Sequence, residues 1–215
     1  MKQNKQPSEV LLTNEQALSV LKRINRLYPN AKGELKWDSV FHLLCAVSMS
    51  ARTTDKMVNR VTPKFNRDFP EPEDLAQASL TAIESDIASI GFYHAKAKHL
   101  KAMASLLIDR YDGHIPKDKA ALMTLPGVGE KTANVVLAEA YQIPAIAVDT
   151  HVSRISKAFH LVPNDASPHE IEKRLESILP KKDWIATHHA MIFFGRYTMK
   201  ARNKDKDPYS FLPPE

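Results

Sequence analysis

Two residues of this chain are best suited to chemistry: a lysine and an aspartate eighteen positions apart, Lys131 and Asp149. Lys131 lies in Leu125-Pro126-Gly127-Val128-Gly129-Glu130-Lys131-Thr132-Ala133-Asn134-Val135-Val136, and Asp149 opens Asp149-Thr150-His151. An amine in the first turn of a helix meets the positive end of the helix dipole. That field disfavours a second positive charge and so favours the neutral, nucleophilic form. A carboxylate at the start of a second helix is an anion in a field that suits it, ready to face a developing positive charge. Each residue also has a plainer reading. Lys131 alone reads equally as a phosphate-binding or solvated lysine, and Asp149 as an N-cap worth about 1 kcal/mol.

The spacing around these residues says what must position them. Two glycines flanking one valine, directly after Leu-Pro and before an apolar run, describe a tight hairpin between two helices, about 118–124 and 130–141. The amides that open the second helix point outward and form a phosphate site. The missing side chains at Gly127 and Gly129 let a nucleic-acid backbone approach closely. Gly129-Glu130-Lys131-Thr132 superficially suggests a nucleotide-binding P-loop. That reading fails because the lysine does not directly follow a glycine, Thr124 stands where the upstream glycine is required, and no strand precedes it. After Asp149, the apolar residues Val152, Ile155, Ala158 and Phe159 repeat at helical spacing, so the aspartate reads as the cap of that helix.

From Leu125 to His151 the chain resembles the helix-hairpin-helix and catalytic-aspartate region of the endonuclease III family of DNA glycosylases. Ser50-Ala51-Arg52-Thr53-Thr54-Asp55, Ile90-Gly91-Phe92-Tyr93-His94-Ala95-Lys96-Ala97, and His188-His189 through Gly195-Arg196-Tyr197-Thr198 resemble further family segments in the same order. The likeness covers roughly residues 20 to 200. It implies an all-α fold of two helical bodies with a DNA-binding cleft between them. One body spans 33–143 and carries the helix-hairpin-helix motif at about 118–141; the other combines 1–32 with 144–215. It also implies a bifunctional DNA glycosylase and AP lyase that excises oxidised or ring-saturated pyrimidines from double-stranded DNA, with Lys131 as Schiff-base nucleophile and Asp149 assisting. From a different class, the alternative is a non-catalytic helix-hairpin-helix DNA-binding protein in which Lys131 only touches phosphate.

The resemblance assigns DNA contacts to Arg52, Phe92, Gly127, Val128, Gly129 and His151. Relatives usually carry glutamine at position 52, the side chain that enters the duplex where a damaged nucleotide has rotated out. Arg52 either fills the same gap with its flat guanidinium or makes an ordinary phosphate contact or ion pair. Phe92 reads either as the hydrophobic wedge on the other side of the extruded nucleotide or as a core residue. Family members often hold a monovalent cation on the hairpin carbonyls. Typical relatives bind a four-iron cluster with four cysteines near the C-terminus. Here Met199 occupies the first of those positions and no cysteine follows, so no iron-sulfur cluster is expected. Tyr209, Phe211 and Leu212 are the apolar anchors left to fix that end.

Bulk properties agree with this reading without carrying it. Thirty Lys and Arg against 25 Asp and Glu give a net charge of +5, a mild preference for a polyanionic partner. The single cysteine, Cys45, lies in an apolar run and reads as a buried thiol. The N-terminus lacks an apolar signal core and no stretch approaches the ~18 apolar residues of a membrane span, so a cytosolic location without membrane association is expected. A nucleoid-associated monomer is the further expectation. The periodicity predicts helices over 13–28, 37–49 and 184–197, short helices from about 73 to 89, a longer helix after a break at Gly91-Phe92-Tyr93 with Leu100, Met103, Ala104, Leu107, Ile108 and Tyr111 on one face, and another carrying Ile171, Leu175, Ile178 and Leu179 after a Ser167 cap, with Pro63, Pro70 and Pro72 in a loop. Lys96 and Lys98 read as solvated lysines, with phosphate contacts the alternative. His188-His189 with Asp149 and His151 invites a zinc site. Adjacent helix residues point in different directions, however, and no Cys-x-x-Cys or His-Glu-x-x-His pattern accompanies them, so no metal is expected.

Overall fold

The computed structural model describes residues 10–203 and 205–214; the N-terminal stretch read above for a signal core lies outside them. Regular structure among the described residues is helical: α1 (Asn14–Leu27), α2 (Val40–Ser50), α3 (Asp55–Asp68), α4 (Pro72–Gln77), α5 (Leu80–Ile87), α6 (Tyr93–Tyr111), α7 (Lys119–Met123), α8 (Glu130–Tyr141), α9 (Thr150–Ala158), α10 (Pro168–Ile178) and α11 (Trp184–Phe193). The chain divides into two compact units, Gly33–Ala145 and Met1–Lys32 with Ile146–Glu215. No described helix is long and apolar enough to cross a membrane.

The central unit is built around α2, whose residues Phe41 to Val47 are all buried. Sequence periodicity starts this helix at Trp37. The structure starts it at Val40, because the Ser39 side chain accepts the His42 amide as an N-cap and leaves Trp37 39% exposed. His42, inside the core, bonds through its ring to the Asp38 carboxylate and the Phe69 carbonyl. Leu44, Phe65, Leu75, Ile83, Leu100, Met103 and Val136 pack around the same core. Pro63 is not in a loop: it sits inside α3, where burial of Val58, Val61, Thr62 and Phe65 on one face outweighs the ~3 kcal/mol a mid-helix proline costs. Cys45 is fully buried, and desolvation pushes its thiol well above the ordinary range. Native protein should therefore resist an aromatic disulfide reagent, while denatured protein should release one equivalent at once; rapid labelling of native protein would contradict the burial.

In the other unit α1 begins with a capping box between Thr13 and Gln16, and α10 with another between Ser167 and Glu170. Leu21, Ile24, Phe159, Ile171, Leu175 and Phe194 form its core. The predicted single helix over 184–197 is interrupted. At Phe194 the α-helical pattern passes into a π-turn to Thr198. A Cβ on Gly195 would lie 2.9 Å from the His151 Cβ, so the glycine permits close approach to α9. The C-terminal segment is tied down by Arg154, whose guanidinium donates to the Met199 and Gly195 carbonyls at 2.7 and 3.0 Å. Tyr209 packs edge-on against Phe159 and Leu212 is buried.

Candidate active site

The hairpin around Lys131 follows from its turn chemistry. Asp118 caps α7, and Leu122, Leu125 and Val128 are the buried pegs that fix the turn. The Leu125 amide donates to Leu122 O and the Val128 amide to Leu125 O, both at 3.1 Å. Lys119 bridges to Glu130 at 2.9 Å and fastens the two arms. Only one of the two glycines needs positive φ: Gly127 has φ +79°, and a Cβ there would meet the His99 Cβ at 3.0 Å. Gly129 is extended (φ −97°, ψ −179°), a conformation open to any residue, and no atom lies within 4 Å of where its Cβ would be. Its contribution is space in front of the α8 amides, which it leaves without a side-chain cap. Val128 has its side chain in the core, so it can meet a phosphate only through its backbone. Lys131 stands exposed in the first turn of α8, opposite a buried face of Ala133, Asn134, Val136 and Leu137.

Asp149, in the other unit, is the N-cap of α9. One carboxylate oxygen, Oδ1, accepts both the His151 and Val152 amides at 2.8 Å, so the cap leaves Oδ2 over. His151 is half-buried beneath it. Desolvation draws its imidazole below the usual histidine range, the Asp149 anion opposes that, and the nearby Arg196 and Arg154 cations reinforce it. Nη2 of Arg154 lies 3.5 Å from Nδ1 of His151, and burial lowers the guanidinium's own range against the opposing Asp149 charge.

Arg52 and Phe92 both belong to the central unit and both are exposed, Phe92 by 63%. The core reading of Phe92 is therefore excluded. Both have left-handed backbones, φ 56° and 61°, and the guanidinium carbon lies 4.9 Å from the ring centroid. Lys96 was expected in solvent and is instead buried, its ammonium bonded within the protein. The signal was in the sequence, since position 96 falls on the apolar stripe of Leu100, Met103 and Leu107. Arg154, which reaches from α9 to two backbone carbonyls, carried no such signal.

The model for HhH-GPD superfamily base excision DNA repair proteins matches residues 45–181. The chain is 44% identical to endonuclease III of Bacillus subtilis over 90% of its own length and 88% of the relative's. Against endonuclease III of Escherichia coli K12 the figures are 37%, 86% and 87%. Among solved structures, a non-covalent endonuclease III–DNA complex superposes with a TM-score of 0.89 at 43% identity, covering 94% of this chain and 96% of that one. A trapped endonuclease III–DNA covalent intermediate superposes at 0.88 with 46% identity, covering 89% and 90%. A match over more than half the chain, together with near full-length identity to these relatives, establishes that it belongs to the endonuclease III family of base-excision DNA glycosylases with AP-lyase activity.

Proposed function

We propose that this chain excises oxidised or ring-saturated pyrimidines from duplex DNA and then cleaves the strand, with Lys131 as nucleophile and Asp149 as its assisting anion. Extruding a nucleotide costs a few kcal/mol, less where damage has already weakened stacking, which favours lesions over intact bases. The α8 amides behind Gly129 take a phosphate, and Arg52 and Phe92 fill the vacated space. Lys131 Nζ attacks the sugar C1′. The base departs with the C1′–N bonding pair and the amine loses its proton; the C1′–O4′ bond then breaks with its pair going to O4′, which takes a proton, and a ring-opened iminium is left at C1′. Loss of a C2′ proton then expels the 3′ phosphate, and water releases the sugar. Asp149 opposes the positive charge that builds on the sugar and receives the amine proton through its uncommitted oxygen.

The observation that carries this reading is an exposed amine in the first turn of a helix whose N-terminus has no side-chain cap. Incubation with abasic-site duplex and borohydride should capture the protein covalently. Failure to capture would favour a module that binds DNA without acting on it.

The residues near the C-terminus do not fit an iron-sulfur cluster. Four thiolates are needed, whereas the chain has one cysteine, Cys45, sealed in the core of the central unit. The first expected ligand position holds the buried thioether of Met199. Purified protein should be colourless, and a broad visible absorption band of the kind iron-sulfur centres give would overturn the proposal. The hairpin carbonyls, Leu125 O among them, are neutral oxygen donors of a kind a monovalent cation accepts.

A further inference from the structure

The buried ammonium of Lys96 has no part in the chemistry above, yet all its donors are committed. Nζ donates to Met49 O and Ala51 O, both at 2.7 Å, and to Thr53 Oγ1 at 3.2 Å. An ammonium has three protons to give, and this one spends them on the end of α2 and the turn that carries Arg52. A cation at a helix C-terminus also suits the helix dipole. Burial draws the lysine below its usual range. A glycine cap would close the same turn without bringing a charge into the interior. What the lysine adds is its origin. It projects from the first turn of α6, and its own amide donates to the Phe92 carbonyl at 3.1 Å.

One residue is thus bonded through its side chain to the peptide preceding Arg52 and through its backbone to Phe92. Both neighbours hold left-handed conformations that non-glycine residues seldom adopt, and such conformations persist only where surrounding contacts over-determine them. Gly91 lies beside the same turn, where a Cβ would be in ordinary van der Waals contact, 3.9 Å, with Arg52 O and Thr53 Oγ1. We infer that Lys96 is a positioning residue that locks the Arg52 and Phe92 turns into one unit, so that guanidinium and ring meet the duplex already stacked. This rests on the reading of Arg52 and Phe92 as the residues that fill the space left by the extruded nucleotide.

The test is a double-mutant cycle in the full chain, using the ratio of affinities for a duplex carrying a tetrahydrofuran abasic analogue and the same duplex undamaged. Fluorescence of 2-aminopurine opposite the analogue reports insertion directly. Lys96→Met should lower the ratio roughly five- to tenfold and blunt the fluorescence change, while in an Arg52→Ala background the same substitution should cost less than about twofold. An equal loss in both backgrounds, or an equal loss on undamaged duplex, would make Lys96 merely structural and end the proposal. Should Lys96→Met fail to fold, Thr53→Val removes one acceptor from a half-exposed position. It should lower the ratio about twofold, again only when Arg52 is present, and an unchanged ratio would refute the coupling. If Arg52→Ala alone leaves the ratio intact, the gap-filling reading itself fails, a result distinct from additivity in the cycle. Borohydride capture through Lys131 reports the catalytic reading separately.

Discussion

Lys131→Ala protein should not be captured on abasic-site duplex by borohydride, and its strand cleavage should fall by at least 10³-fold, in the range that loss of a covalent nucleophile costs other enzymes. The reason is chemical. Without the amine no iminium forms, and the C2′ proton is then not acidic enough to leave at a useful rate. The fold should be indifferent, because the side chain is exposed and alanine is a better helix former than lysine. Affinity for a tetrahydrofuran duplex should stay within a few-fold, since the hairpin amides and the Gly127 turn are unchanged. Added methylamine should restore part of the cleavage, because a free amine can form the same imine. Equal capture of mutant and wild type would assign the nucleophile elsewhere.

Asp149→Asn separates the two roles of the aspartate. An asparagine Oδ1 can still accept the His151 and Val152 amides that Asp149 receives at 2.8 Å, so α9 keeps its cap. The charge is lost. Base excision builds positive charge on the sugar and should slow by about 10²- to 10⁴-fold. Imine formation with a ready-made abasic aldehyde builds less such charge and should slow far less. Asp149→Ala removes the cap as well and should add about 1 kcal/mol of destabilisation. Single-turnover rates on a lesion duplex and an abasic duplex, with a thermal melt of each variant, read all three effects. Rates for the asparagine variant close to wild type on both substrates would leave Asp149 as a cap and nothing more.

Much of this architecture was legible before any coordinates. The hairpin was readable because Leu-Pro-Gly-Val-Gly admits few backbone solutions, and α9 because Asp149 precedes apolar residues at helical spacing. Local signals failed where tertiary contacts decided. Pro63 looks like a breaker, but an amphipathic face with four buried residues keeps the helix through it. Lys96 looks solvated by residue type, and only its register on the α6 stripe betrayed its burial. The left-handed backbones of Arg52 and Phe92 have no sequence signature, because neither is a glycine or asparagine. The two carbonyl contacts of Arg154 join residues more than forty positions apart, beyond any periodicity.

Those contacts bear on how the protein withstands its surroundings. The segment from Gly195 to Met199 is fastened by a guanidinium, which neither gains nor gives up electrons under biological conditions and needs no supply of metal to assemble. Peroxide, which dismantles thiolate ligands, meets as sulfur at that point the thioether of Met199, and that atom is shielded by a side chain 1% exposed. The joint is thus made of a guanidinium that such oxidants do not attack and a thioether they reach only once the segment opens.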